Sequence, residues 1–248
     1  MKTQFFDQFL FQREMYFSSC LVHNWGNFYY SKINDPIWNF FVPNSNEFYN
    51  HLNEIEQVFK DENKHCCIIT PKDDLNNNTK LPEKYQSIYQ ETWYTFKGKH
   101  KFDTKLKCST KSNIDNVKSI LFATYSTKNK GYQPWGNLDK NYFDIINDKL
   151  KNENIINFSL KKSNNIIAVC SLYKEFNSYQ IFNFAIAPQF QNDKDVIEIF
   201  KHIINYYLSQ AGNSLSIQLP VGHILGKELE NLNFVEIFKV DYNYRNNK

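Results

Sequence analysis

Glycine and proline are scarce in this chain, seven of each in 248 residues, and cysteine comes to five, an odd number. Cys20, Cys66, Cys67, Cys108 and Cys170 form no CxxC pair and no regular spacing, so neither a disulfide framework nor a zinc site is expected. Cys66, Cys67 and Cys170 sit inside apolar runs (HCCII, IIAVCSL), where a reduced cysteine behaves as a small hydrophobe. The histidines, at 23, 51, 65, 100, 202 and 223, show no HExxH or comparable ligand spacing, and no metal is expected. Charge of one sign is lacking as well. A net +3 with both signs interspersed falls short of the clustered basic footprint of a duplex-binding domain, so nucleic acid is not motivated as a partner. Long apolar runs are missing too: even Ile181 to Phe190 is interrupted by polar residues, and no membrane span is expected. The opening MKTQFFDQFLFQREMYF is broken by Asp7, Gln8 and Gln12, with no small-residue cleavage site after it. The expectation is a soluble, cytoplasmic chain whose first residues belong to the fold.

Aromatic side chains are what the sequence has in quantity: 22 Phe, 16 Tyr and 4 Trp, within an apolar share of 42%. That is enough large side chain to fill well-packed interiors and to exclude wholesale disorder. The length allows one large domain or two of ordinary size. Asparagine, with 33 residues, reads as the codon bias of an AT-rich genome.

In the first half, strands are expected at Asn27 to Ile33 and Trp38 to Val42. A helix follows from Asn46, with Phe48, Leu52, Ile55 and Phe59 on one face. The β-branched run Cys66 to Thr70 reads as a buried strand, Lys72 to Thr79 as a loop, Pro82 to Ile88 as a short helix and Glu91 to Phe96 as a strand. The order is ββαβαβ. A basic stretch from Lys97 to Lys107 reads as a solvated junction.

The second half begins with a strand at Thr104 to Ser109 and a helix from Ile114 to Tyr125, then the aromatic turn GYQPWGN at 131 to 137 and a helix from Lys140 to Lys151. Three strands form a meander, Ile155 to Lys161, Ile166 to Tyr173 and Tyr179 to Ala187, joined by turns at Asn164–Asn165 and Phe176 to Ser178. A helix from Val196 to Gln210 stops at Gly212. A strand at Ser214 to Leu219, a helix from His223 to Leu232 and a strand from Val235 to Tyr244 close the chain.

The strings NNIIAVCSLYKEFNSYQIFNFAIAPQFQN and SIQLPVGHILGKELENLNF, in that element order, resemble the GCN5-related N-acetyltransferases. In that family an apolar fourth strand ends in an A-P or T-P step before a cofactor loop, and the closing segment carries a Leu-Gly-Phe-like sequence, here Leu232, Asn233 and Phe234. The resemblance implies a mixed α/β fold of the acyl-CoA N-acyltransferase type. Its two tandem units would be a degenerate acetyltransferase-like unit over residues 1–100 and an acetyltransferase domain over 104–248. It implies acetyl-CoA as co-substrate, held by Ala185, Ile186, Gln191, Asn192, Asp193, Lys194, Asp195 and Val196. The family loop is Q/R-x-x-G-x-G/A, because glycine lets the backbone approach a diphosphate at a helix start. Gln191 matches its first position, while Lys194 and Val196 stand where the glycines belong, and Lys194 is placed to pair with a phosphate.

Many family members protonate the departing thiolate with a tyrosine on the last helix. The aligned residue here is Leu229, so no direct carry-over is possible. Catalytic candidates near the expected cleft are Tyr173, Asn183 and His223, with Glu175 and Tyr179 beside them, and Tyr132 and Trp135 are candidate walls of the acceptor cleft. The function implied is transfer of an acyl group, most simply acetyl, to a primary amine of a small molecule or peptide, by a monomer or homodimer. Two alternatives stay open: a catalytically degenerate member that binds or regulates, and a two-unit transferase using aminoacyl-tRNA.

Overall fold

The computed structural model describes residues 19–33, 35–71, 81–111, 113–138, 140–175 and 177–245. The expectations for the N-terminal segment and the loop Lys72 to Thr79 lie outside them, and the turn Phe176 to Ser178 lies only partly inside. Contacts divide the chain into two compact units, residues 1–92 with 238–248 and residues 93–237. Together the described residues carry eleven strands and five α-helices, and none of those helices is long and apolar enough to cross a membrane.

In the first unit, β1 (Ser19–His23), β2 (Gly26–Tyr30) and β3 (Phe40–Pro43) are antiparallel neighbours. β3 runs parallel to β4 (Cys67–Pro71), so the chain must cross over between them, and α1 (Leu52–Asp61) makes the crossing. α1 turns Ile55 and Phe59 onto Phe28, Tyr30, Phe41 and Ile68, the helical-period face meeting the strand-period face. β4 pairs antiparallel with the end of β11 (Phe234–Arg245).

β1 escaped the sequence reading, and the helix expected at Pro82 to Ile88 is the start of the long strand β5 (Tyr85–Phe96). Tyr85 and Ile88, three apart after a proline, imitate a helix start. The polar positions decide otherwise: Ser87 Oγ donates to Asp241 at 3.3 Å, and Glu91 accepts from the Tyr242 hydroxyl at 3.0 Å, tying β5 beside β11. The order in this half is therefore βββαββ rather than ββαβαβ. Cys66 and Cys67 are buried, and burial pushes the Cys66 thiol up to about 12 and raises that of Cys67, so both are packing groups.

In the second unit the strand order is β11-β5-β10-β9-β8-β7-β6. β6 (Lys107–Ser109), β7 (Ile155–Lys162), β8 (Asn165–Glu175) and β9 (Ser178–Ile186) form an antiparallel meander. β9 then runs parallel to β10 (Ser214–Pro220), with α4 (Glu198–Ser209) as the crossover. α2 (Ile114–Tyr125) and α3 (Lys140–Lys149) lie between β6 and β7, and α5 (Leu225–Asn231) precedes β11. α4 supplies Ile199, Phe200, Ile203, Ile204 and Tyr207 to a core shared with Leu172, Ile181, Phe184 and Leu215.

Three details depart from expectation. The β7–β8 turn uses Ser163 and Asn164, both left-handed at φ 48° and 66°, one residue earlier than Asn164–Asn165, because a two-residue type I′ turn needs positive φ at both central positions. α4 ends on a left-handed Ala211, not on Gly212. Gly212 is needed for space instead, since a Cβ there would lie 2.4 Å from the Tyr207 ring. Finally, the basic stretch Lys97 to Lys107 is stapled along α4: Asn205 brackets the Phe102 backbone with two 2.8 Å bonds, Glu198 accepts from Lys105 N–H at 2.7 Å, and His202 meets the Leu106 carbonyl at 2.9 Å.

Candidate functional site

β9 is irregular in mid-strand. Val169 faces Ala185 and Ser171 faces Phe182, so the single Cys170 stands opposite two residues, Asn183 and Phe184. This is a β-bulge, and Asn183 carries it at φ 52°, a conformation asparagine tolerates better than most residues. Asn183 is buried, its Oδ1 accepts from the Tyr142 hydroxyl, and its Nδ2 has no partner. Beside the bulge, β9 and β10 pair only from Ser178 to Gln180 against Ser214 to Ser216. β9 continues to Ile186 and β10 to Pro220, so among the described residues their remaining lengths are unpaired with each other.

The loop between α2 and α3 fills that divergence. Ala187 N–H points at β8, where Ile167 O accepts it at 2.9 Å, so Ile186 N–H points the other way, to the β10 side. There the Gln133 carboxamide meets it. Ile186 N–H donates to Gln133 Oε1 at 2.9 Å, and Gln133 Nε2 donates to Phe184 O at 3.1 Å and to Trp135 O at 2.7 Å. Tyr125 OH adds a bond to Phe184 O at 3.1 Å, and Thr124 Oγ1 one to Ile186 O at 2.8 Å. Tyr132 N–H donates to Gln191 O at 2.8 Å, and its hydroxyl donates to Glu228 on α5 at 3.3 Å. Burial first, and Glu228 second, raise the Tyr132 pKa, so the phenol keeps its proton. The loop is closed at its base by Asn137 N–H to Thr127 O and Leu138 N–H to Tyr125 O, each 2.7 Å. It forms a strap from 127 to 138.

After β9, a 3-10 turn at Lys194–Ile197 leads into α4. Two of its amides are engaged by Asp193: Oδ1 accepts from Asp195 N–H at 2.9 Å, and the carbonyl oxygen from Val196 N–H at 3.2 Å. Lys162, at the end of β7, pairs with Asp193 at 2.6 Å and Asp195 at 2.7 Å. Lys162 is the leading cause holding the Asp193 carboxyl below its ordinary 3.8. With a folded-state pKa below the unfolded one, the clasp contributes fully above that range and is lost as pH falls through it. Acidification below about pH 3.8 is therefore expected to lower the protection of the Asp195 amide relative to its intrinsic exchange at the same pH, and Lys162→Ala is expected to move the onset to higher pH, both followed by NMR.

Solved structures share this architecture. A GCN5-related N-acetyltransferase from Kribbella flavida superposes with a TM-score of 0.69 at 7% identity, over 100% of this chain and 96% of its own. One from Sphaerobacter thermophilus gives 0.65 at 6% identity, over 89% and 76%. A functionally unknown conserved protein from Staphylococcus epidermidis gives 0.61 at 11%, over 95% and 97%. This chain has the GCN5-related N-acetyltransferase fold. No protein-family profile matches the sequence, and no curated protein matches it.

The residues singled out from sequence are distributed unevenly around the cleft of this acetyltransferase fold. Ala185 and Ile186 lie on β9 beside the strap, and Gln191 is buried with its carbonyl taken by Tyr132. Asn192 and Lys194 are exposed, Asp193 and Asp195 are clasped by Lys162, and Val196 is buried in the core. Tyr173 is buried in β8, Glu175 ends that strand half-buried, and Tyr179 packs in the core against Tyr207, ring centroids 5.7 Å apart. His223 lies next to the strap: its Nδ1 accepts from Leu225 N–H at 3.2 Å and its ring bonds the Gln133 backbone. Burial lowers its pKa, keeping it neutral near physiological pH. Leu229 is buried on α5, one residue from Glu228. Gln133, Lys162, Thr124, Tyr125 and Glu228 were not singled out from sequence; an amide between aromatics in a Gly-Pro turn was the one available signal for Gln133.

The fit to an acyl-CoA differs along its length. Phe184 O and Ile186 N–H take one acceptor and one donor from the Gln133 carboxamide, the same pair a pantetheine amide would present, so the β9 edge fits the arm. At the diphosphate end, Asp193 already caps the helix start where an anion would sit.

Proposed function

We propose that this chain is an acyl-CoA-dependent N-acyltransferase, acetyl being the simplest group transferred, acting on a primary amine of a small molecule or peptide. The observation that carries this reading is the β9 edge: a bulge followed by strand divergence that turns Phe184 O and Ile186 N–H away from β8 as an amide-matched pair, held here by the Gln133 carboxamide. Those two residues would hold the pantetheine arm, and Lys162 and Lys194 would face the diphosphate. A bound acyl-CoA supplies the activated thioester carbonyl. The chain's own task is then to orient it against the attacking amine, whose proton passes to water at the cleft mouth. Neutral His223, its Nδ1 already accepting from Leu225 N–H, positions the Gln133 backbone rather than taking that proton, and the Tyr132 phenol keeps its own proton next to Glu228. Asn183 fixes the bulge, while residues 1–100 are proposed as a second acetyltransferase-like unit.

The self-capped helix start and the occupied β9 edge favour a second reading, in which the fold binds or regulates without catalysis. Free-thiol release from acetyl-, propionyl- and succinyl-CoA, measured with a panel of polyamines, aminoglycosides and peptides, separates the two. Amine-dependent release, with an acetylated product seen by mass spectrometry, is expected. If neither the wild-type chain nor a variant lacking Gln133 releases thiol, the transferase reading is wrong and the second one stands.

A further inference from the structure

The strap from 127 to 138 does more than pack. A core filler meeting β9 would be apolar, yet the residue at the β9 edge is a glutamine with 0% exposure, whose oxygen and nitrogen both bond the strand backbone. Thr124 and Tyr125 add bonds to Ile186 O and Phe184 O, so Phe184 O, Ile186 N–H and Ile186 O are all engaged on this edge. A ligand amide that needs the Ile186 N–H must exchange with the Gln133 carboxamide.

We propose that the strap is a built-in competitor for the acyl-CoA arm: Gln133 holds the β9 edge in place of a pantetheine amide, and the donor binds only when the strap lifts. The inference rests on the transferase reading above. Like-for-like exchange makes the device reversible, because Ile186 N–H and Phe184 O stay paired in both states and pass through no lasting unsatisfied state, which would cost about 1–3 kcal/mol per group. The strap can lift as a unit. Its base is tied at Thr127 and Leu138, outside the contact residues, and left-handed Gly131 and Asn137, at φ 53° and 56°, flank the segment that carries Gln133. Its other polar holds are exchangeable, the 3.3 Å bond from Tyr132 to Glu228, the Tyr132 amide on Gln191 O and the His223 ring on the Gln133 backbone, while the Tyr132 and Trp135 rings, packed on the core, set what lifting costs. Lifting would also uncover Gln191 and the start of the 3-10 turn, the diphosphate end of the same cleft.

The test uses the full chain, with Gln133→Ala to remove the mimic and Tyr132→Phe to remove the Glu228 tie while keeping the ring in the core. Amide exchange at Ile186 is measured without ligand, and acetyl-CoA affinity by isothermal titration. The expected result is at least tenfold faster exchange and at least tenfold tighter acetyl-CoA binding in Gln133→Ala, with a smaller change of the same sign in Tyr132→Phe. If Gln133→Ala does not fold, the sign of the Tyr132→Phe change decides. Wild-type binding as tight as that of the folded variants overturns the competitor and leaves the transferase reading intact. Unchanged Ile186 exchange overturns it as well. Faster exchange with no binding by any form refutes the transferase reading and the competitor with it.

Discussion

Truncating Phe184 to alanine is expected to lower the unfolding free energy by about 3–5 kcal/mol, the range for emptying a fully buried aromatic site. Phe184 has no exposed surface and meets Phe200 of α4 at a ring distance of 4.8 Å, so the deleted ring leaves a cavity between a strand and its crossover helix. The site cannot collapse easily, because the residue on one side is the bulged Asn183 and on the other the doubly bonded segment to Ile186. Urea unfolding reports it as a lower midpoint with an unchanged slope. Ile224→Ala, at an exposed position, is expected to stay within about 0.5 kcal/mol. A Phe184→Ala loss no larger than that of Ile224→Ala would mean the β9–α4 core is not packed as described. The same substitution also reaches the cleft, since the Phe184 carbonyl is one of the two groups that hold Gln133.

What the sequence made legible follows from how local each cause is. α2 runs from Ile114 to Tyr125 as expected because its cap, Asn113 accepting from Asp115 N–H, and its apolar spacing are both written within a dozen residues. The meander is legible because three short runs, apolar enough to be buried on both faces, are joined by short turns. β5 was half lost because its early residues, YQSIYQ, are polar where they bond β11, and β11 lies about 150 residues later. The site divides in the same way. The A-P step and Gln191 mark the end of the fourth strand, but the fate of the aspartates depends on Lys162, a partner across a hairpin. The strap was visible as an aromatic turn and read as an acceptor wall with Tyr132 and Trp135. Its contact with β9 is set by which edge β10 leaves open, and nothing inside GYQPWGN encodes that.

Gly131→Val is expected to dislodge the strap at its entry. Gly131 is left-handed at φ 53°, and a Cβ there would lie 2.2 Å from Gln191 O and 2.3 Å from Asn192 Oδ1. The first of these is a backbone carbonyl, and it accepts the Tyr132 amide at 2.8 Å, so it cannot move aside without breaking the bond that seats the next residue. The left-handed conformation costs a branched residue about 1–2 kcal/mol and the overlap about 1–3 kcal/mol more, so a strap kept in place would cost about 2–5 kcal/mol. Unseating it costs the exchangeable bonds of Tyr132 and Gln133, a sum of the same order. The expected outcome is therefore partial release: a stability loss at the low end of that range, about 2 kcal/mol, with faster amide exchange at Tyr132 and Ile186. Gly131→Asn, which tolerates positive φ, is expected to lose less and exchange more slowly than the valine variant. Because Gly131 acts through its contact with Gln191 and Gln133 through its bonds to β9, matching gains in acetyl-CoA affinity from the two positions would come from the one change they share, the vacated β9 edge. A valine variant with wild-type stability and wild-type exchange would place the strap elsewhere than against Gln191.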